Sequence, residues 1–345
     1  DISTGPVQAQ QADGQAVGLW QSVNAQAQIS AVAARGWQMQ LSRLAIQPVG
    51  KSAVWATKGQ GRWLHTVTES SAQEAVSANR VLTLDNIDLA VLVPLLASLD
   101  SGGFDPVAAN MKGLIRDFSI TANDASESAD WRLSGKLQNF SMKPQNGLPG
   151  VSELSGAWQT GPQQGHIDLV VGRTGIDIPD VFRQPLPVEH IKGRIGWSLK
   201  DKGWFIDAPK LSYAGPGQTQ ASGGFSLDLA RNLDSPYIDL DFNFKSEDIR
   251  PLKPAIPYNE DVLGLEVSEW LTASLLGGRV PSGRVQLKGK LVDFPYENED
   301  EPGLFKVDFQ VRDGLLEYVE GWPRISEIDG RLVFKGRSMQ IDAKH

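Results

Sequence analysis

Residues 305–311 read Phe305-Lys306-Val307-Asp308-Phe309-Gln310-Val311, with an apolar residue at every second position. A strand points alternate side chains to opposite faces, so Phe305, Val307, Phe309 and Val311 share one apolar face. Working outward, Leu332 with Phe334 and Met339 with Ile341 repeat the alternation, with turns predicted at Gly330 and Gly336. Upstream, Val285 and Leu287 alternate with polar residues. Ile238, Leu240, Phe242 and Phe244 alternate with Asp239, Asp241 and Asn243. Phe225, Leu227 and Leu229 alternate with Ser226 and Asp228, and Ile195, Trp197 and Leu199 continue the series. Apolar-in, polar-out alternation over many short runs is the mark of a one-sided antiparallel sheet. A helix is predicted near 267–277, with Trp270, Leu271 and Leu275 as its apolar stripe. Ser268 is its predicted N-cap, and Gly277-Gly278 its predicted stop. One short helix cannot cover a long sheet, so it is expected to plug an end or a seam.

Composition narrows the function classes. The chain has 345 residues and a formal net charge of -8, which argues against a nucleic-acid surface. It has no cysteine, so neither a disulfide framework nor a thiolate metal site can form. Its four histidines, at 65, 166, 190 and 345, show no ligand spacing. No run of apolar residues is long enough to span a bilayer as a helix. The first residue is not Met and the last residues stop as a strand finishes, so both ends are expected to be cut from a longer protein. The 35 glycines suit many short strands and turns, and the 10 tryptophans imply large apolar surfaces.

Further strands are predicted at 37–41, 54–56, 62–67 and 80–84, with 68–79 read as a polar loop. Others are expected at about 131–142, 155–160, 165–172, 193–199, 203–208, 210–214, 218–229 and 236–245. A second helix is predicted near 88–99, with Asp88 as N-cap and Pro94 inside it. The spacing from Asp88 to Pro94 recurs from Asp248 to Pro254. Gly113-Leu114-Ile115-Arg116-Asp117-Phe118 parallels Gly289-Lys290-Leu291-Val292-Asp293-Phe294, and Pro149, Leu154 and Gly156 parallel Pro323, Ile328 and Gly330. A shorter version sits at Pro187, Ile191 and Gly193. These matches, in one order, predict an internal repeat. The expected organisation is a ragged segment or edge strands at 1–35, a first β unit or units at 36–245, and a second at 246–345.

A one-sided sheet must bury its apolar face. One solution is a second sheet, as in a sandwich. The other is a trough whose inside is kept for a ligand, since a soluble surface does not otherwise leave so large an apolar patch open. The residues alone favour the sandwich.

A resemblance points the other way. Trp270-Leu271, Gly277-Gly278-Arg279-Val280, Gly283 and Gly289-Lys290-Leu291-Val292-Asp293-Phe294-Pro295-Tyr296 resemble the YhdP branch of the AsmA-like proteins. So do Gly321-Trp322-Pro323-Arg324-Ile325 with Ile328, Gly330, Leu332 and Phe334. Tyr296 stands where that family often has Phe. The resemblance implies an all-β fold with a few short helices, in which a long, twisted, mostly antiparallel sheet curls into an elongated hydrophobic groove. It implies a periplasmic segment of a bridge-like lipid transfer protein, with phospholipids as cargo and the inner and outer membranes contacted by regions outside this piece. An N-terminal inner-membrane helix is implied for the full-length protein. The groove would be lined by the alternates named above, from Ile195 to Ile341.

Other chemistries lack their patterns. Asp239 and Asp241 sit on the polar face of a strand, and Glu297, Glu299, Asp300 and Glu301 form an acidic loop rather than a glycosidase pair. No calcium loop, GxSxG or GxxxxGK[ST] occurs, and Gly102-Gly103 and Gly223-Gly224 read as turn glycines. No cofactor and no catalytic residue is therefore expected. Two rival readings stand beside lipid transfer: a structural or assembly factor that holds outer-membrane proteins by exposed strand edges, and a secreted carbohydrate-active β-protein using its tryptophans.

Overall fold

The computed structural model describes the chain apart from residues 11–15, 33–35, 53, 71–72, 99–108, 124–129, 146–147, 201–202, 231–234, 259–263, 297–302, 337 and 345. The chain divides into two compact units. Unit 1 comprises 1–146 and 151–165, and unit 2 comprises 147–150 and 166–345. Unit 1 carries β1 (Ile2–Thr4), β2 (Val7–Gln10), β3 (Ala16–Ala31), β4 (Gly36–Pro48), β5 (Trp55–Ser70) and β6 (Gln73–Asp88). Helix α1 (Leu89–Ser98), β7 (Lys112–Asn123), β8 (Asp130–Met142) and β9 (Gly150–Thr160) follow. Unit 2 carries β10 (Gln164–Val171), β11 (Thr174–Asp177), β12 (Leu186–Val188), β13 (His190–Lys200), β14 (Gly203–Gly215), β15 (Thr219–Ala230) and β16 (Tyr237–Ser246). A 3-10 turn (Arg250–Ala255), helix α2 (Leu265–Ser274), β17 (Leu275–Lys290), β18 (Leu304–Leu316), β19 (Ile325–Lys335) and β20 (Ser338–Lys344) complete it. In each unit successive strands pair antiparallel in an open sheet that does not close into a barrel. The fold is thus all-β with a few short helices, as the alternation predicts.

Several local readings are corrected. The stretch 68–79 is not a loop. β5 and β6 pair out to Ser70 and Gln73, along a stretch whose sequence shows no apolar alternation. The predicted strands 54–56 and 62–67 are one strand, β5, because Gly59 and Gly61 interrupt only the side-chain signal. Likewise 203–208 and 210–214 are one strand, β14, bulged between Ala208 and Leu211 where Pro209 cannot donate to the ladder. Gly330 lies inside β19 opposite Val311 rather than at a turn. Helix α2 starts earlier than predicted, with Gly264 at its N-cap. Ser268 is inside it and fully buried, its hydroxyl 2.6 Å from the Pro257 carbonyl and 2.9 Å from that of Gly264. Gly277-Gly278 do not close the helix, which ends at Leu275; they belong to β17. Gly102-Gly103 and the acidic loop 297–301 lie outside the described residues.

Unit 1 is packed beneath α1. This helix has no charged residue in its sequence LAVLVPLLAS, so it can be buried on all sides. It continues through Pro94 as one helix. The Asp88 carboxylate accepts a 2.9 Å hydrogen bond from the Ala90 amide, which caps the first turn as predicted. Leu89 of the helix joins Leu41, Leu84, Ile87 and Ile115 of the strands in a buried cluster, flanked by Leu44, Trp55, Phe118 and Phe140. The Trp20 indole donates to the Val91 carbonyl at 2.9 Å, tying β3 to the helix.

The internal repeat is present, but with a different alignment in one part. Asp248 accepts from the Arg250 amide at 3.0 Å, as Asp88 does from Ala90. The β8–β9 and β18–β19 pairs share their bulges: Leu137 opposite Gly156 matches Val311 opposite Gly330, and Phe140 opposite Leu154 matches Gly314 opposite Ile328. Asn139 and Asp313 take positive φ of 50° and 51°, and Glu153 and Glu327 take 58° and 59°. The Asn139 amide donates to Ser155 and the Asp313 amide to Asp329, each at 3.1 Å. Gly113, however, matches Gly278 and not Gly289. Gly113 sits in a bulge between Lys112 opposite Ser141 and Leu114 opposite Gln138, and Gly278 in the same bulge between Gly277 opposite Leu315 and Arg279 opposite Arg312. Residues 289–294 instead leave β17 through a 3-10 turn at Leu291–Asp293, so their likeness to 113–118 is one of sequence only.

Candidate functional site

Residues directly opposite each other in an antiparallel ladder project to the same face. The register of unit 2 therefore groups the alternating residues into rows across the strands. Phe244, Gly283, Phe309, Leu332 and Ile341 form one row. Phe242, Val285, Val307, Phe334 and Met339 form the next. Ala208, Phe225, Leu240, Leu287 and Phe305 follow, then Trp197, Ile206, Leu227 and Ile238, and then Leu199, Trp204 and Leu229. Each row is two residues along the strand from the last, so all lie on one face. Val311 stands opposite Gly330 at the α2 end of this face. Ile195 falls in the bulge between Gly193 and Gly196, where no cross-strand partner is assigned.

None of these residues reaches the buried class except Ala208. Phe225, Phe242, Phe244, Phe305, Phe309 and Phe334 are half-buried, while Leu199, Met339 and Ile341 are exposed. A sandwich core would bury such side chains completely. Here they touch one another along the face. Phe309 stacks on Phe334 at 6.2 Å between ring centres, and Phe244 lies 6.2 Å from Phe309. Gly283 makes room for this packing, because a Cβ there would stand 2.4 Å from the Phe244 ring.

A cavity of about 370 Å3 occupies the α2 end of this face. Nine of the sequence-predicted residues line it: Phe244, Phe305, Val307, Phe309, Val311, Leu332, Phe334, Met339 and Ile341. Of the remaining predicted residues, Phe242, Val285, Phe225, Leu240 and Leu287 share rows with lining residues of other strands. Trp197, Leu199, Leu227, Leu229 and Ile238 lie in the outer rows, and Ile195 lies in the β13 bulge; none of these residues lines the cavity. The cavity also takes in the helical segment, through Ile249, Leu252, Lys253, Ile256, Trp270 and Leu271. Sequence reading named Trp270 and Leu271 as the apolar stripe of a helix that plugs an end or a seam, but missed Ile249, Leu252, Lys253 and Ile256. The Asp-to-Pro match marked the segment, but its contact with the sheet depends on long-range packing. Trp270 is fixed by its indole, which donates to the Tyr318 carbonyl at 2.9 Å and meets the Tyr318 ring edge-on. Further along the strands, the Phe294 ring sits 5.0 Å from that of Phe305 and shields the face there. Unit 1 has a comparable apolar row, also missed: Met39, Gly61, Leu82, Ile120 and Leu133 are linked by register, and none of them is fully buried. The strand at Trp37, Met39 and Leu41 was legible; its place on a shared face was not.

The electrostatics of the two faces are opposite. Among the described residues, Lys253 is the only charged one lining the cavity. The reverse face carries cross-strand ion pairs: Lys288 with Asp239 at 2.7 Å, Arg331 with Asp308 at 2.6 Å, and Arg284 with Asp241. The Arg331 hydrogen bond holds the Asp308 carboxyl well below the usual carboxylate range, and Arg284 lowers Asp241 in the same way. No group of three or more metal-ligating side chains occurs among the described residues. No helix among them is long and apolar enough to cross a membrane. The arrangement offers apolar contact along a strip of sheet, with polar groups turned away.

A family model described as YhdP protein matches residues 6–345. A curated relative, the intermembrane phospholipid transporter YhdP of Escherichia coli (strain K12), is 22% identical over 203 residues. That match takes in 59% of this chain but 16% of the relative, so the chain spans a small part of that protein's length. No solved structure matches. With an open, one-sided sheet throughout and a family match over nearly its whole length, the chain belongs to the YhdP family.

Proposed function

We propose that this chain is a segment of the groove of a bridge-like lipid transfer protein, carrying phospholipid acyl chains between the inner and outer membranes. The observation that carries the reading is the half-exposed apolar face of unit 2, unbroken across β13 to β20. An apolar surface of this extent on a water-facing sheet calls for an occupant. Acyl chains suit it, since each buried methylene contributes about 0.8 kcal/mol without any directional contact. Contact of that kind holds a tail yet sets no strong preference for one position, so a lipid can move from row to row while its head group stays in water. The reaction is passive and needs no catalytic residue. The name of the Escherichia coli relative supports phospholipid as the cargo. On this reading the segment lies in the periplasm, and other parts of the full-length protein meet the membranes.

The test is native mass spectrometry of the chain purified without detergent, with organic extraction of the same sample. Co-purifying phospholipid that is lost on Phe242→Asp or Phe309→Asp is the expected result. A folded, lipid-free protein that instead captures unfolded outer-membrane β-strands would replace this reading with an assembly role.

A further inference from the structure

Among the described residues, the cavity beneath the helical segment is apolar in all its lining but one. That residue, Lys253, sits in the 3-10 turn Arg250–Ala255 and is half-buried. A lysine can lay its four-carbon stem along apolar surface and keep its ammonium at the water boundary. Its neighbour Arg250 has no charge to spare. The Arg250 guanidinium is held by the Asp248 carboxylate through hydrogen bonds of 2.7–3.0 Å. Other cations near the segment are also engaged: Arg183 lies 3.6 Å over the Tyr258 ring and 3.5 Å from Glu269, and Arg279 pairs with Asp313. Lys253 has no carboxylate partner among the described residues. Among those residues it is an unneutralised cation, in a chain of net charge -8.

A lone cation at the rim of an apolar cavity matches one kind of ligand: an acyl chain ending in an anionic group. Phosphate suits an ammonium as a point charge with several acceptor oxygens. We infer that Lys253 is a phosphate-anchoring residue, holding the head group of a glycerophospholipid while its tails rest on Phe309, Phe334 and Leu332. This rests on the lipid-carrying reading and adds to it a halting point, where a lipid is held by charge as well as by apolar contact. Among the described residues, the rows nearer β13 have no such residue in register with them, so a lipid resting there is held by its tails.

The experiment compares two water-dispersible ligands with the same tails, dioctanoyl phosphatidic acid and dioctanoylglycerol, by isothermal titration on the 345-residue chain. Wild type is expected to bind the phosphatidic acid about tenfold more tightly, the scale of one charge-assisted contact at a partly wet site. Lys253→Met keeps the stem and removes the charge, so it should abolish this preference and leave dioctanoylglycerol binding unchanged. Lys253→Arg should retain the preference. A Lys253→Met variant that keeps the tenfold difference would overturn the inference and leave the groove reading intact. Failure of wild type to bind either lipid would overturn both. Inorganic phosphate bound as tightly as the phosphatidic acid, with the same dependence on Lys253, would show an anion site with no link to acyl chains and would also overturn it.

Discussion

Beneath α1 the apolar face of unit 1 is closed over the cluster of Leu41, Leu84, Ile87 and Ile115 and opens only further along the strands, at the Met39–Leu82 row, while beneath α2 the apolar face of unit 2 stays open, although the two regions repeat one plan. Both place a capping Asp at the end of a long strand, at Asp88 and Asp248, and both carry the same bulges in the strand pairs that follow. The difference lies in the helices. α1 is apolar throughout and settles onto aliphatic neighbours, bringing Leu41, Leu84, Ile87 and Ile115 below a tenth of their free exposure. α2, with the sequence LEVSEWLTAS, can bury only one stripe; Leu271 is covered, but Leu265 and Val267 remain exposed. Beyond that stripe, among the described residues, no helix covers the aromatic rows, and only the Phe294 ring shields them, at Phe305. Identical strand alternation therefore yields a core or a trough according to what the intervening segment can bury.

The largest expected effect comes from placing a charge in the closed region. Ile87→Asp puts a carboxylate in the cluster under α1 with no partner, and should cost about 4 kcal/mol or more in urea unfolding. The same change on the open face is milder. Phe309→Asp loses contacts of a half-exposed ring, about 1–2 kcal/mol, and leaves a carboxylate that water can reach. Equal losses from the two substitutions would mean that the faces do not differ. Next in size is Gly283→Val, whose added side chain collides with the Phe244 ring; it should cost about 1–3 kcal/mol and shrink the space for tails, measured as weaker binding of a fluorescent acyl probe. Asp88→Ala removes a cap from a buried helix and should lower stability by about 1 kcal/mol. Asp248→Ala should cost less, and hydrogen exchange should locate its effect in the 3-10 turn rather than across unit 2.

The smallest expected effect concerns pH and the reverse face. The folded Asp308 carboxyl sits below its ordinary value because Arg331 bonds its charged form. A depressed carboxylate contributes stability that is fully present above its unfolded pKa, about 4, and is lost as pH falls through the lower folded value. Asp308→Asn should lower the neutral plateau of a pH–stability profile slightly and flatten its acid limb by the same amount, so that the two profiles converge at low pH. The pair is largely solvated, so salt should mask the difference.

Strand identity was legible wherever one face is apolar, since alternation at Phe305–Val311 or Ile238–Phe244 has only one reading. It failed where backbone pairing persists without side-chain alternation, as in the polar β5–β6 hairpin. Helix ends were legible at Asp88, where the cap acts within two residues. They were not legible at Ser268, whose hydroxyl serves the buried Pro257 carbonyl instead. Of the cavity, the sheet residues could be found by period alone. Ile249, Leu252, Lys253 and Ile256 could not, because an irregular segment has no period and its neighbours are set by tertiary contact. The choice between sandwich and trough was also out of reach of alternation, which records that a face is apolar and not what lies over it.

The most direct test places a photo-activatable phenylalanine analogue at Phe309 and, separately, at Gln310, one residue along β18 but on the reverse face. Ultraviolet irradiation in cells that carry labelled phospholipid would then be followed by analysis of adducts. The account predicts labelled lipid attached at position 309 and none at position 310. Equal labelling at both positions, or protein adducts alone at 309, would contradict a lipid-bearing apolar face.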